Sequence, residues 1–200
     1  DPRLGDARLC GTTASLCGLE AADFEGDPCA LERAVSCDLT LHAWMLSQSG
    51  IPVIYSGDEV GQLNDWSYKE DPERREDSRY IHRGRFQWEL AALRGDGSTR
   101  QGKQFQLLRR MEELRAGERC FDPEADVWVE DSGSRHVLAL VRRRGERELV
   151  CLFNFSSFFL DAGVQREGSY TELMYGNHYD QIRRIHLYPN SFAWLLRDAT

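Results

Sequence analysis

The sequence predicts an α/β segment followed by a compact all-β region, and three observations point to it. Residues 51–55, Ile-Pro-Val-Ile-Tyr, are apolar at every position rather than at alternate ones. That is the pattern of a strand covered on both faces, as in parallel α/β sheets. An amphipathic stretch over residues 29–49 runs into it through Gly50, which reads as the second half of a β/α crossover unit. From Gly117 onward the pattern changes to short β-like runs divided by turn residues, as in a small antiparallel sandwich or meander. The division is placed near residue 118.

Taken in order, residues 1–12 read as loop, with Pro2, Gly5 and Gly11. Thr12 or Thr13 is suited to cap a short helix that stops at Gly18. Residues 21–28, acidic and Gly-containing, are expected to be a surface loop. The helix over 29–49 carries Leu31, Ala34, Val35, Leu39, Leu41, Met45 and Leu46, mostly at three- and four-residue steps. The strand at 51–55 breaks at Gly57 and delivers Asp58 and Glu59. A long polar segment, residues 61–84, follows; its length marks it as functional or disordered, and Trp66 and Tyr80 argue against plain disorder. Helices are predicted over 85–94 and 105–115, with a Gly-rich break at 95–102. Strand-like runs then cover 127–129, 136–142, 148–155, 170–174, 184–187 and 191–196.

Composition narrows the partners. A net charge of −8 and a pI near 5.2 disfavour a phosphate backbone or an anionic membrane surface. The hydrophobic share of 41%, with five Trp, seven Tyr and nine Phe, belongs to a folded chain. Six cysteines at 10, 17, 29, 37, 120 and 151 form no CxxC pair and no zinc-type spacing with the five histidines. They read as reduced thiols in a cytoplasmic protein. No run approaches the ~20 apolar residues of a membrane span.

Acidic residues just past a barrel-type strand sit where such folds place active sites. Asp58 and Glu59 therefore raise the question of a catalytic pair of carboxylates. Adjacent residues leaving a strand point in different directions, so the alternative is structural: a carboxylate that binds turn N–H groups or a loop arginine. Trp66 and Tyr80 either stack on a ligand or pin the loop. His82 and His42 read as structural, His136, His178 and His186 are assigned no chemistry, and Trp128, Phe153, Phe155, Phe158, Phe159 and Trp194 read as core or hairpin residues.

The segment Gly50-Ile-Pro-Val-Ile-Tyr-Ser-Gly-Asp-Glu-Val-Gly61 resembles the eighth barrel strand, and the start of the loop after it, in the α-amylase superfamily (glycoside hydrolase family 13). Three more pieces resemble its sucrose-acting branch, amylosucrase and sucrose hydrolase: Gly5-Asp-Ala-Arg-Leu-Cys-Gly-Thr-Thr13, Leu63-Asn-Asp-Trp66 and Asp77-Ser-Arg-Tyr-Ile-His-Arg-Gly-Arg-Phe86. The resemblance implies that residues 1–117 are the end of a (β/α)8 barrel (helix 7, strand 8, helix 8) and that 118–200 are the β-sandwich after it. It places the three catalytic carboxylates upstream, so no catalytic residue is expected within this chain. It implies that Arg8 and Arg79 line the site for the fructosyl or acceptor sugar; the residues themselves suggest that Asp77 orients Arg79 through an ion pair and that Trp66 is a candidate to bind the sugar. It implies a sugar substrate, sucrose or an α-glucan, cleaved with retention and passed to water or to a growing glucan, with no metal or organic cofactor. A strand left without barrel neighbours is expected to pair with another copy of the chain, lie disordered, or hide beneath the two helical segments. The competing reading from the residues is a non-catalytic module binding carbohydrate or protein.

Overall fold

The computed structural model describes residues 10–198. The chain divides into two compact units, one of residues up to Asp38 with Ile54–Gln106, the other of Leu39–Val53 with Leu107 onward. Helices α3 and α5 each have residues in both.

In the first unit, α1 (Thr13–Leu16) is capped by Thr12, whose hydroxyl accepts from the Ser15 N–H. Helix α2 (Leu19–Glu25) occupies the stretch expected to be loop. Its residues Leu19 and Ala22 are buried, and that tertiary burial outweighs the acidic, Gly-flanked composition. Helix α3 (Pro28–Leu46) follows the predicted periodicity. Asp27 caps it through the Cys29 and Ala30 N–H groups, and Pro28 takes the first turn, where its missing N–H is not needed. The helix predicted over 85–94 shrinks to α4 (Trp88–Ala91) and a 3₁₀ turn, Ala92–Gly95. Helix α5 (Arg100–Gly117) starts earlier than expected, because the Thr99 hydroxyl accepts from the Gly102 N–H and caps it inside the Gly-rich stretch.

The strand expected over 51–55 does not form. Ile51 and Val53 are 91% and 79% exposed, and the segment has no ladder. An apolar run becomes a strand only when another strand satisfies its backbone, and none is offered among the described residues.

The second unit is built on one antiparallel sheet: β1 (Asp126–Glu130), β2 (Val137–Arg144), β3 (Arg147–Asn154), β4 (Leu160–Glu172), β5 (His178–Leu187) and β6 (Ser191–Arg197), in the order β1-β2-β3-β6-β4-β5. The predicted sandwich or meander is built from one six-stranded antiparallel sheet. Val137, Val141, Leu152, Tyr170, Ile185 and Leu195, drawn from five strands, share one core. Irregular register at Gly163, Gly168 and Tyr170 bends the long strand β4. Its first half reaches the loop after β1, where the Gly163 N–H donates to the Ser132 carbonyl at 2.8 Å.

The other face of β2, β3 and β6 is buried too, through Leu140, Arg142, Cys151, Phe153 and Trp194. Arg142 donates to the carbonyls of Cys120 (2.7 Å), Ser47 (2.9 Å) and Asp122 (3.0 Å). Arg115 donates to the carbonyls of Leu46 and, at 3.0 Å, Gly50. Two guanidiniums therefore satisfy carbonyls left over at the end of α3, where positive charge also suits the helix dipole. The Trp194 indole N–H donates to Ser47 Oγ at 3.0 Å.

Candidate functional site

The candidate site lies in the first unit, on the segment from Gly57 to Gln87. Gly57 has φ 102°, and a Cβ there would stand 2.9 Å from Gln62 Cβ, so the turn demands glycine. Glu59 Oε2 accepts from the Gly57 N–H at 2.8 Å, which commits that carboxylate to its own turn. Asp58 opens the 3₁₀ turn Asp58–Val60, whose Val60 is buried.

Gln62 closes the segment into a loop. Its side chain donates to the Arg85 carbonyl (3.2 Å) and accepts from the Gln87 N–H (3.1 Å). Midway, the Asp65 N–H donates to the Ile81 carbonyl at 2.8 Å. Between these ties the chain makes two 3₁₀ turns, Trp66–Glu70 and Ser78–His82, capped by Asp65 and Asp77. Aspartate suits both positions because its short carboxylate reaches the N–H two residues on.

Asp77 does more than cap. Arg79 Nε donates to its Oδ1 at 2.8 Å, and an Arg79 terminal nitrogen donates to Oδ2 at 2.6 Å, while the Arg79 backbone N–H also binds Oδ1. This fork-to-fork pair is the geometry in which arginine binds carboxylate most strongly. The Arg79 side-chain bonds, then its backbone N–H, pull the Asp77 pKa down to about 2. The Arg79 side chain remains 46% exposed, so its remaining donors are open to a ligand.

Trp66 is tied rather than free. Its indole N–H donates to Glu20 Oε1 at 2.5 Å, and Lys69 Nζ lies 4.6 Å from the ring centroid. Asn64 carries the neighbouring ties: its N–H donates to Ser15 Oγ, its amide to Glu20 Oε2 at 2.7 Å, and its Oδ1 accepts from the Thr12 N–H. Neither Asn64 nor Glu20 is singled out by the sequence reasoning. They meet across 44 residues, and no spacing rule reaches that far.

On the same loop a cleft of about 310 Å³ is lined by Asp65, Tyr68, Arg74, Tyr80, Arg83 and Phe86, among others, and not by Asp77 or Arg79. Arg74 and Arg83 lie 5.3 and 5.9 Å from the Tyr80 ring centroid. Among the described residues lining the cleft, the carboxylate is Asp65, which accepts from Ser67 N and Oγ. The cleft offers donors, aromatic faces and positive charge, a surface for binding hydroxyls, and no facing pair of acids for breaking a glycosidic bond. The structure brings Asp77, Arg79 and Tyr80 onto one turn, leaves Trp66 on the neighbouring turn, and puts Asp58 and Glu59 in a separate one. Arg8 lies outside the described residues. His82 packs edge-on against Tyr55, ring centroids 5.9 Å apart. All six cysteines are free thiols. Among the described residues, no three His, Cys, Asp or Glu side chains gather as metal ligands.

No family model matches the chain. Solved structures do. An Anoxybacillus α-amylase is similar over 84% of this chain and 33% of its own, at 18% identity and TM-score 0.58. A variant of AmyP, in complex with maltotriose, is similar over 83% of this chain and 35% of its own, at 14% identity and TM-score 0.67. The trehalulose synthase MutB of Pseudomonas mesoacidophila MX-45 is similar over 81% of this chain and 38% of its own, at 15% identity and TM-score 0.62. At such identities the likeness is one of fold: the six-stranded sheet matches the C-terminal β domain of α-amylases. The chain spans about a third of the length of these structures.

Proposed function

We propose that this chain is the C-terminal part of an α-amylase-family enzyme that cleaves an α-glucosidic bond with retention, acting on sucrose or an α-glucan. In this reading residues 118–200 are its C-terminal β domain, and the residues before them close a (β/α)8 barrel. The glucosyl group passes through a covalent intermediate to water or to a glucan, on carboxylates carried by the upstream chain. Arg79, oriented by Asp77, holds the hydroxyls of the leaving or acceptor sugar; Arg8 and Trp66 complete that subsite.

The observation that carries the reading is the bidentate Asp77–Arg79 pair, set on a tied loop whose residues 77–86 resemble the sucrose-acting branch. Support also comes from the fold shared with α-amylases and trehalulose synthase over most of the chain.

The test uses the full-length parent, with sucrose and maltoheptaose as separate substrates. Arg79→Ala is expected to lower kcat/KM at least about tenfold, the size of one lost charged hydrogen bond, about 1.5–3 kcal/mol. Asp77→Asn is expected to do the same more mildly. The 200-residue chain alone is expected to release no glucose. Glucose release by the isolated chain, or full activity in the Arg79→Ala parent, would defeat the reading.

A further inference from the structure

We propose that Phe159, His186 and Tyr188, at one end of the β sheet, form a second sugar-binding surface, a platform for an α-linked glucan chain. The inference rests on the glucan-acting reading above but concerns different residues, in the other unit.

The sequence pattern assigns Phe159 to core or hairpin packing and His186 to no chemistry, and it does not single out Tyr188. The structure leaves Phe159 55% and Tyr188 65% exposed, with Phe158 46% exposed beside them. Burying one such ring is worth roughly 1.5–3 kcal/mol, so a patch of them in water is not what folding alone favours. The rings are also arranged. Phe159 stacks on His186 at 5.5 Å with an 11° interplanar angle, and Phe159 and Tyr188 stand 5.2 Å apart at 60°.

Their support is rigid. Asn154 is fully buried, and its amide nitrogen donates to the carbonyls of Phe158 (2.9 Å) and Tyr188 (2.7 Å). One side chain thereby fixes both loops that carry the platform. Asn154 Oδ1 in turn accepts from Ser156 N and Oγ, and Ser191 Oγ donates to the Tyr188 carbonyl at 2.7 Å. A surface ordered before its ligand arrives spends little of the binding energy on ordering.

The chemistry fits a neutral polyol. Ring faces offer apolar area to the C–H face of a pyranose. At the edge, His186 Nδ1 and Asp161 Oδ1 lie 2.9 Å apart, with both side chains more than half exposed, which supplies donors and acceptors for hydroxyls. A carboxylate at that edge repels a phosphate or an acidic peptide. The 60° tilt between Phe159 and Tyr188 makes a bent surface. A bent surface follows the curvature of an α-1,4-linked chain and not the flat ribbon of a β-1,4-linked one.

Titration of the 200-residue chain with maltoheptaose, followed calorimetrically and by amide chemical shifts, decides the matter. Saturable binding is expected, with the largest shifts at residues 158–161 and 186–188. Phe159→Ala/Tyr188→Ala should weaken it at least about tenfold, as expected for two lost ring contacts, while the thermal midpoint stays unchanged. Phe24→Ala, at a residue 92% exposed in the other unit, should have no effect. The shift map needs no variant, so it stands even if the double substitution perturbs folding. The proposal is overturned by absence of saturation, by shifts elsewhere, by equal affinity for cellohexaose, or by a double variant that loses only self-association. Platform binding lost while the full-length parent still shows Arg79-dependent cleavage removes the platform alone. Platform binding retained in a parent that cleaves neither sucrose nor maltoheptaose removes the enzyme reading alone.

Discussion

Asp77 and Arg79 are two residues apart, close enough for the sequence to suggest their pairing, and the structure joins them through both carboxylate oxygens. The arrangement sets a pH dependence. The Asp77 pKa is depressed to about 2 in the folded chain, chiefly by the Arg79 side-chain bonds. An ordinary aspartate titrates near ~3.9, so the pair's contribution is complete above that value and disappears as pH falls through the depressed one. The Arg79 Nε–H resonance should therefore hold its bound position from pH 7 to about 4 and move toward the free-guanidinium value near pH 2. In Asp77→Asn it should sit near the free value at neutral pH. A resonance that does not move between pH 5 and 1.5 would mean that Asp77 is not its partner. The Asn64–Glu20–Trp66 ties are equally local in space but 44 and 46 residues apart in sequence, which is why residue spacing does not disclose them.

At the scale of elements, legibility follows hydrophobic pattern. Helix α3 and strands β1, β2, β3 and β6 carry strong apolar periodicity or continuous apolar runs, and their positions agree with expectation. Residues 160–169 of β4 and most of β5 are missed because their exposed faces are filled with Gln, Arg, Glu and Asp, and the bends at Gly163 and Gly168 interrupt the alternation. Arg142 shows a different limit. The run Arg142-Arg143-Arg144 reads as a solvated face, yet strand alternation buries Arg142 completely, where it serves three backbone carbonyls. Arg142→Met keeps the volume and removes every donor. Each buried carbonyl left without a partner costs ~1–3 kcal/mol, so a loss of roughly 3 kcal/mol or more is expected. Urea unfolding measures it: the midpoint should fall with the slope unchanged, whereas Arg144→Met, at an exposed pair with Glu124, should shift it little. Equal small shifts for both variants would contradict the role given to Arg142.

For the whole molecule, residues 51–55 pose the sharpest question. They leave a well-anchored point, since Arg115 holds the Gly50 carbonyl, and then pass into solvent with Ile51 and Val53 largely exposed. Their composition is that of a buried strand, and the sequence conveys as much; what one chain cannot convey is a neighbour that it does not itself supply. Pro52 lacks an N–H, but the other backbone groups along the run remain able to pair. Each of the two exposed side chains would release roughly 1.5–3 kcal/mol on full burial. The 200-residue chain is accordingly expected to self-associate through this run. Ile51→Lys/Val53→Lys should shift it to monomer in sedimentation velocity without changing its circular dichroism, because neither side chain belongs to a core. Association that survives the double lysine variant would place the contact on another surface. A wild-type chain that stays monomeric at every concentration would remove the self-association and leave the barrel reading to rest on the Arg79 experiment.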